Sequence, residues 1–298
     1  MIGRLLQFLN RVIIILALIS ILTVSGIYFW LSNDLPQLPQ SLGHINLSLP
    51  TEIYSADGEQ IKVLGERHPV NIEDISPNFL KAIIAVEDAR FYSHNGIDHR
   101  ALIRALITNF RTKKIVQGGS TITQQLSKNL FFSFERNWVR KIKELLVAFQ
   151  LEVTFGKEQI LEAYSNQIYF GSGAYGVEEA SQTYFNSRAR DLTLLQAAML
   201  AGLPNSPNNA NPFVHFEKAM KRAEFILKRM VSENLISSSE RELALKSRID
   251  LANPKVESNP NLYFVDEVLA KLEKNYGKEF VHFGGLKIFT TLDTRYQY

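Results

Sequence analysis

The run from Val12 to Asn33 contains no charged residue, and it constrains the chain more than any other stretch. As a helix rising ~1.5 Å per residue it would extend about 33 Å, enough to cross the hydrocarbon layer of a bilayer. Arg4 and Arg11 precede the run, Asp34 follows it, and Tyr28 and Trp30 stand where an outer aromatic belt belongs. The positive-inside rule then assigns residues 1–11 to a cytoplasmic tail, 12–33 to a single membrane span, and the remainder to the outer side. A cleaved signal peptide would have a shorter apolar core and a small-residue cleavage site before the aromatic cluster, so a retained anchor is expected. Residues 34–50 carry repeated prolines and little charge, which predicts an extended tether.

Of the 298 residues, 46% are hydrophobic, enough for a substantial core. The 33 basic residues nearly balance the 30 acidic ones, which argues against a nucleic-acid partner and makes any basic chemistry local. There is no cysteine, so neither disulfides nor thiolate chemistry are available. The segment from Thr51 to Glu66 alternates polar and apolar positions about Asp57-Gly58, predicting a hairpin and the only strand pair before the last segment. From Ser76 to Lys246 the periodicity is helical, with breaks at Asn95-Gly96, Gly118-Gly119, Phe155-Gly156, Gly171 to Gly176, and in the asparagine- and proline-rich run from Asn205 to Pro212. One more helix is expected over 262–276, then a strand within Gly284 to Asp293 that has no evident partner.

Within the helical body, Ser76-Pro77 is a strong helix start, with the serine oxygen placed to cap and the proline preset for the first turn. Leu80, Ile84, Glu87 and Phe91 then fall on one helical stripe, with Asp88 about a hundred degrees round. A carboxylate on an apolar stripe resists ionisation, which raises its pKa towards the range useful to a general base. Equally, Glu87 could pair with a buried cation, or the helix could end early and leave it in solvent.

A second helix opens at Gly118-Gly119-Ser120-Thr121, with Thr121, Gln125, Lys128 and Asn129 on one side and Ile122, Leu126 and Leu130 on another. Its glycine-led start is suited to anions, although an ordinary turn before a solvated helix has the same appearance. In a third helix Arg136, Arg140 and Glu144 fall at four-residue steps, with Ile142, Leu145, Leu146 and Phe149 for packing. Arg140, Lys141 and Lys143 form a cationic cluster fit for a diphosphate. A fourth helix carries Glu162 and Asn166, read as support, with Lys157 at its start. His94 and His99 are wrongly spaced for a metal pair on one helical face, and His94 is expected to hydrogen-bond beside Glu87 and Asp88. Residues 112–118, basic then flexible, read as a loop over a cleft.

These residues together carry a pattern: the first-motif run from Glu87 to Asp98, the GGSTITQQL run from Gly118 to Leu130, RKIKE from Arg140 to Glu144, and the stretch from Ile160 to Ala180. In this order they resemble the motifs of the peptidoglycan glycosyltransferases, glycosyltransferase family 51, the polymerising domain of class A penicillin-binding proteins. Lys221 to Met230 is similar to the weaker fifth motif, with Lys221 where arginine is more usual and Ser165 where leucine is. The resemblance implies a mainly α, lysozyme-like two-lobed helical domain with a small β-hairpin, spanning 51–250, on the amino-terminal transmembrane helix. It implies Glu87 as general base and Glu144 as the second essential glutamate. Substrate-binding roles fall to Asp88, Phe91, His94, Thr121, Gln125, Lys128, Asn129, Arg140 and Lys141.

The implied reaction joins lipid II units into glycan strands with inversion and release of undecaprenyl diphosphate, at the outer face of the bacterial cytoplasmic membrane. Mg2+ or Mn2+ at the donor diphosphate is the implied cofactor, with no organic cofactor. The implied partners are lipid II, the growing lipid-linked glycan, the membrane and the cell-wall synthesis machinery. No serine has a lysine three positions on, so the transpeptidase signature of the bifunctional proteins is absent, and 251–298 is read as a linker towards a transpeptidase domain that this chain lacks. The alternatives are a membrane-bound lysozyme-like hydrolase or lytic transglycosylase, or an inactive truncated scaffold.

Overall fold

The computed structural model describes residues 2–42, 50–65, 67–113, 118–132, 138–207, 209–253, 262–277, 281–282 and 284–293. The elements run α1 (Ile2–Ser32), β1 (Thr51–Tyr54), β2 (Gln60–Leu64), α2 (Pro77–Glu87), α3 (His99–Thr112), α4 (Ile122–Phe131), α5 (Trp138–Thr154) and α6 (Lys157–Gln167). There follow β3 (Tyr169–Gly171), β4 (Ala174–Tyr175), α7 (Val177–Phe185), α8 (Leu194–Ala201), α9 (Phe216–Ser232), α10 (Ser238–Lys246), α11 (Leu262–Tyr276) and β5 (Lys287–Phe289). The described chain is mainly helical, with small sheets.

The helical body is built around α8, whose sequence LLQAAMLA is apolar on every side. A helix of that kind must be buried, and Leu195 to Ala201 are, apart from Gln196 near the first turn. A reciprocal cap starts it: the Thr193 hydroxyl accepts from Gln196 N–H, and Gln196 Oε1 accepts from Thr193 N–H at 3.0 Å. Small side chains at Ala197, Ala198 and Ala201 let α2 and α9 pack closely on either side. On the other side of the body α4 lies between α5 and α6, through buried Ile122, Leu126, Val147, Leu151, Ile160 and Leu161.

Several expectations need correcting. The Ser76 oxygen does not cap α2. Its hydroxyl instead donates to Leu192 O at 3.0 Å, tying the start of α2 to the approach to α8. α2 is buried at Phe79, Ala82, Ile83, Ile84, Ala85 and Val86, so it has more than one inward stripe and Phe91 lies beyond its end. On α5 the inward face is Glu144, Val147, Ala148 and Leu151, while Phe149 is exposed. The packing face is thus turned from the one the apolar residues alone indicated. Glycines at 171, 173 and 176, all at positive φ, reverse the chain into a second strand pair, β3 with β4.

The strand near the end also has a partner. β1 pairs antiparallel with β2 about Gly58 and parallel with β5, placing Glu52 opposite Lys287 and Tyr54 opposite Phe289. Ile53, Leu64, Val265, Leu269 and Val281 form a second, smaller core beneath this sheet.

α1 is 31 residues long and exposes Ile13, Ile14, Ile15, Leu16, Leu18, Ile19 and Leu22. Among the described residues no helix is long and apolar enough to cross a membrane. The segment after α1 does not stand free: Leu35 and Leu38 pack on the main core, Leu42 is buried in it, and Asp34 pairs with Lys143 at 3.1 Å. The rest of the expected tether (43–49), Arg136, the centre of the 112–118 loop, and parts of 251–298 lie outside the described residues.

Gly176 sits at φ +82° and ψ 153°, and a Cβ there would lie 2.9 Å from Asn166 O. Gly176→Ala should therefore cost about 1–3 kcal/mol, read as a lowered urea midpoint. An unchanged midpoint would show that this turn relaxes freely.

Candidate active site

Both glutamates singled out from the sequence lie close to α4, Glu87 at the end of α2 and Glu144 on the inward face of α5. Glu87 ends α2 and is half-buried. Its Oε2 accepts from Gln125 Nε2 at 2.9 Å, and its Oε1 from Asn205 Nδ2 at 2.5 Å. Burial pushes its pKa up. The Gln125 hydrogen bond and then the Arg222 and Arg229 charges pull it back, and Asp88 adds to the rise. The carboxylate therefore resists ionisation while two amide donors hold it in place.

Asp88 points the other way. It is buried, and its oxygens take His94 Nε2 at 2.9 and 3.0 Å and the Ile122 N–H at 3.1 Å, the first N–H of α4. A negative group at a helix N-terminus is favourable. The Thr121 hydroxyl caps the same helix, accepting from Gln124 N–H at 3.2 Å and donating to Gly96 O at 2.7 Å. Phe91 is fully buried, with Lys157 Nζ 4.3 Å from its ring centroid. Lys157 also donates to His94 O at 2.6 Å and to Glu152 at 2.8 Å, and the Thr123 hydroxyl donates to Glu152 at 2.5 Å. Asp88, Phe91, His94 and Thr121 are thus bonded or packed inward and form the frame of the site.

Glu144, only 2% exposed, is held by its own helix: Arg140 Nε lies 3.0 Å from Oε1 and Lys141 Nζ 3.1 Å from Oε2. Ser127 on α4 donates to Glu144 O at 3.1 Å, and Lys141 reaches Ser120 Oγ at 3.3 Å. Lys143 does not join this cluster, since it pairs with Asp34. Gln125, Lys128 and Asn129 occupy successive turns of α4, the last two exposed. Glu162 and Asn166 are structural, as expected: Glu162 accepts from Ile72 N–H at 2.8 Å, and Asn166 brackets Val70 at 3.1 and 2.8 Å.

Sequence reasoning missed Asn205 and Glu152, and took in Arg222 and Arg229 only as part of the fifth-motif stretch from Lys221 to Met230 without giving them a role. Asn205 lay in a run read only as a break. Arg222 and Arg229 stand seven residues apart on α9, one face of a helix, and that spacing was the available signal. Burial lowers the Arg229 pKa, the neighbouring Glu233 offsets this, and Arg104 on α3 lowers it further.

Among the described residues no group of three His, Asp or Glu side chains could hold a metal ion. Asp88 accepts from His94 and from the Ile122 N–H, Glu87 accepts one amide at each oxygen, and Glu144 Oε2 takes Lys141, while Glu144 Oε1 has no hydrogen-bond partner among the described residues although Arg140 Nε lies 3.0 Å away.

Asp98 caps α3, accepting from Ala101 N–H at 2.9 Å, and binds Arg90 through both oxygens. The Arg90 hydrogen bond, chiefly, lowers its pKa to about 2. A depressed folded-state pKa stabilises above the unfolded value and loses that stabilisation as pH falls through the folded one. Stability should drop between about pH 4 and 2, and in Asp98→Asn that part of the slope should vanish from a urea-unfolding series. Glu87 has the opposite sign: its raised pKa makes its ionisation a cost above the unfolded value. Glu87→Gln should therefore unfold at a higher temperature than the parent at pH 7, and equal midpoints would contradict the burial argument.

Residues 57–231 match the family described as Transglycosylase. Penicillin-binding protein 1A of Aquifex aeolicus is 43% identical over 249 residues, covering 83% of this chain and 34% of that protein. Penicillin-binding protein 1A of Vibrio cholerae is 35% identical over 301 residues, covering 98% of this chain and 36% of that protein. A crystal structure of penicillin-binding protein 1A from Haemophilus influenzae aligns with a TM-score of 0.45 at 26% identity, over 84% of this chain and 28% of that one, too loosely to place individual residues. The chain spans about a third of the length of the curated relatives it matches. The family match takes in Glu87, α4, the Glu144 cluster and nearly all of α9, and the chain belongs to the Transglycosylase family.

Proposed function

We propose that this chain is a membrane-anchored peptidoglycan glycosyltransferase that polymerises lipid II, with a lysozyme-like two-lobed catalytic domain over residues 51–250. The observation that carries the reading is Glu87, a half-buried carboxylate with a raised pKa held by Gln125 and Asn205 inside the family-matched region. Each of its oxygens accepts one amide N–H and keeps a second lone pair for a substrate proton. Glu87 takes the proton from the 4-hydroxyl of the acceptor GlcNAc. The new bond joins that oxygen to the anomeric carbon of the donor MurNAc, from the face opposite the diphosphate. The bond from that carbon to the diphosphate oxygen breaks, and its electron pair leaves with undecaprenyl diphosphate.

The leaving group arrives already anionic, so what it needs is charge stabilisation. Lys128 is exposed on α4, and Arg140 and Lys141 stand 3.0 and 3.1 Å from Glu144, so three cations are available to balance the charge of a phosphate. Glu144 acts in this reading by holding the cations. A lysozyme-like hydrolase would protonate a sugar oxygen and has no diphosphate to hold, so it leaves these cations without a use.

Membrane attachment is supported by the uncharged run in α1 and by α3, whose exposed Leu102, Ile103, Leu106, Ile107 and Phe110 stand with Arg104 and Arg111. In this reading the substrate's lipid lies in the same membrane as the anchor, with the amino terminus in the cytoplasm and the domain outside. Components of the cell-wall synthesis machinery are its expected partners.

Labelled lipid II incubated with the detergent-solubilised chain should give polymer on a gel. Glu87→Gln should lower the rate on the order of a hundredfold or more, and a mutant retaining its activity would remove Glu87 as base. Lys128→Ala should raise KM for the donor more than it lowers kcat, and an unchanged KM would remove it from the diphosphate site.

A further inference from the structure

Gln125 reaches Glu87 with one end of its amide and meets Tyr164 with the other. The Tyr164 hydroxyl, on α6, donates to Gln125 Oε1 at 3.1 Å, and Gln125 Nε2 donates to Glu87 Oε2 at 2.9 Å. Tyr164 is fully buried, so its ring cannot swing aside to water. α6 is itself fixed through Glu162 and Asn166 to the 70–72 segment. An amide has two ends of similar shape and opposite polarity, and only one orientation gives Glu87 a donor. The reverse would set Gln125 oxygen against a carboxylate oxygen at the same short separation. A buried hydroxyl donor at the far end selects the productive orientation before substrate arrives, and desolvation makes the wrong one costly.

We propose that Tyr164 is a positioning residue for Glu87, acting through Gln125 so that the catalytic carboxylate is held ionised and correctly aimed. This rests on the reading of Glu87 as base. The relay has a second state. When Glu87 takes up a proton on Oε2 it can donate to Gln125 Oε1 after the amide turns over, and Nε2 then donates to the Tyr164 oxygen. Turning the amide back favours release of the proton, which readies the base for another transfer.

Other charges face Glu87 as well: Asp88 beside it, and Arg222 and Arg229 from α9, with Arg104 of α3 acting on Arg229. None of them touches the Gln125 amide in the hydrogen bonds that fix it, so loss of the Tyr164 hydroxyl acts on Glu87 separately from these charges.

The test is a carboxyl titration of the full detergent-solubilised chain by infrared difference spectroscopy, with Glu87→Gln identifying the band. In Tyr164→Phe the Glu87 midpoint should move up by roughly half a pH unit or more, because the charged form loses its oriented donor. Tyr184→Phe is the control: it also removes one fully buried hydroxyl, bonded to Phe170 O at 3.0 Å, and should leave the midpoint alone. Adding Gln125→Leu to Tyr164→Phe should shift the midpoint by less than the sum of the single changes. An unmoved midpoint in Tyr164→Phe, an equal shift in Tyr184→Phe, or full additivity would overturn the proposal. Polymerisation of lipid II is followed in parallel. If the parent titrates as expected yet forms no polymer, the functional reading fails and the relay stands. If polymer forms with the same acid limb in parent and Tyr164→Phe, the relay fails and the functional reading stands.

Discussion

The Asp88 carboxylate is the junction on which the site depends. It accepts from His94 on one side and from the first N–H of α4 on the other, at the residue that closes α2. Two helices and a loop therefore share one buried anion, whose charge is matched by the positive end of α4. Consecutive residues at a helix end point in different directions, so fixing Asp88 inward fixes the backbone that aims Glu87 outward. Gly96 allows the loop to close on this junction, since at φ +80° it lies against Ala148 O and offers its own carbonyl to Thr121 and Gln124.

The two glutamates are treated in opposite ways by their surroundings. Glu144 is deeply buried but bracketed by two cations from its own helix, so its charge is compensated locally. Glu87 is less buried and receives only neutral amides at hydrogen-bond distance, with its arginines acting from further away. A carboxylate kept partly uncompensated is worth little to stability and useful for taking a proton. Residues nearer the centre, such as the alanines of α8, carry the opposite emphasis: close packing with no chemistry.

Much of this was legible in the chain. Helical period, with the proline at the first turn of α2, located α2, α4, α6 and α11, and the apolar stripe around Glu87 foretold its resistance to ionisation. The hairpin could be read from Asp57-Gly58. What could not be read was tertiary. Counting apolar residues turned α5 the wrong way, because Glu144 occupies an inward position and Phe149 an outward one. Thr121 and His94 were expected as ligand groups, and that the Thr121 hydroxyl and His94 Nε2 also hold the frame could not be foreseen. Asn205 and Arg222 approach Glu87 only after the chain has run on for more than a hundred residues, and no local pattern encodes that meeting.

The pairing of β5 with β1 has a consequence for the order in which the molecule assembles. Leu286 N–H reaches the Thr51 hydroxyl across 235 residues of sequence, with the entire helical body between them. Each doubling of a loop adds only about 0.6 kcal/mol to closure, so such a contact is affordable once the intervening chain is compact, but it forms slowly from an extended one. The helical body from α2 to α10 lies between the two strands in sequence and can collapse first, bringing them near each other. The small sheet is then the last part to zip, and on unfolding it is placed to be the first to open.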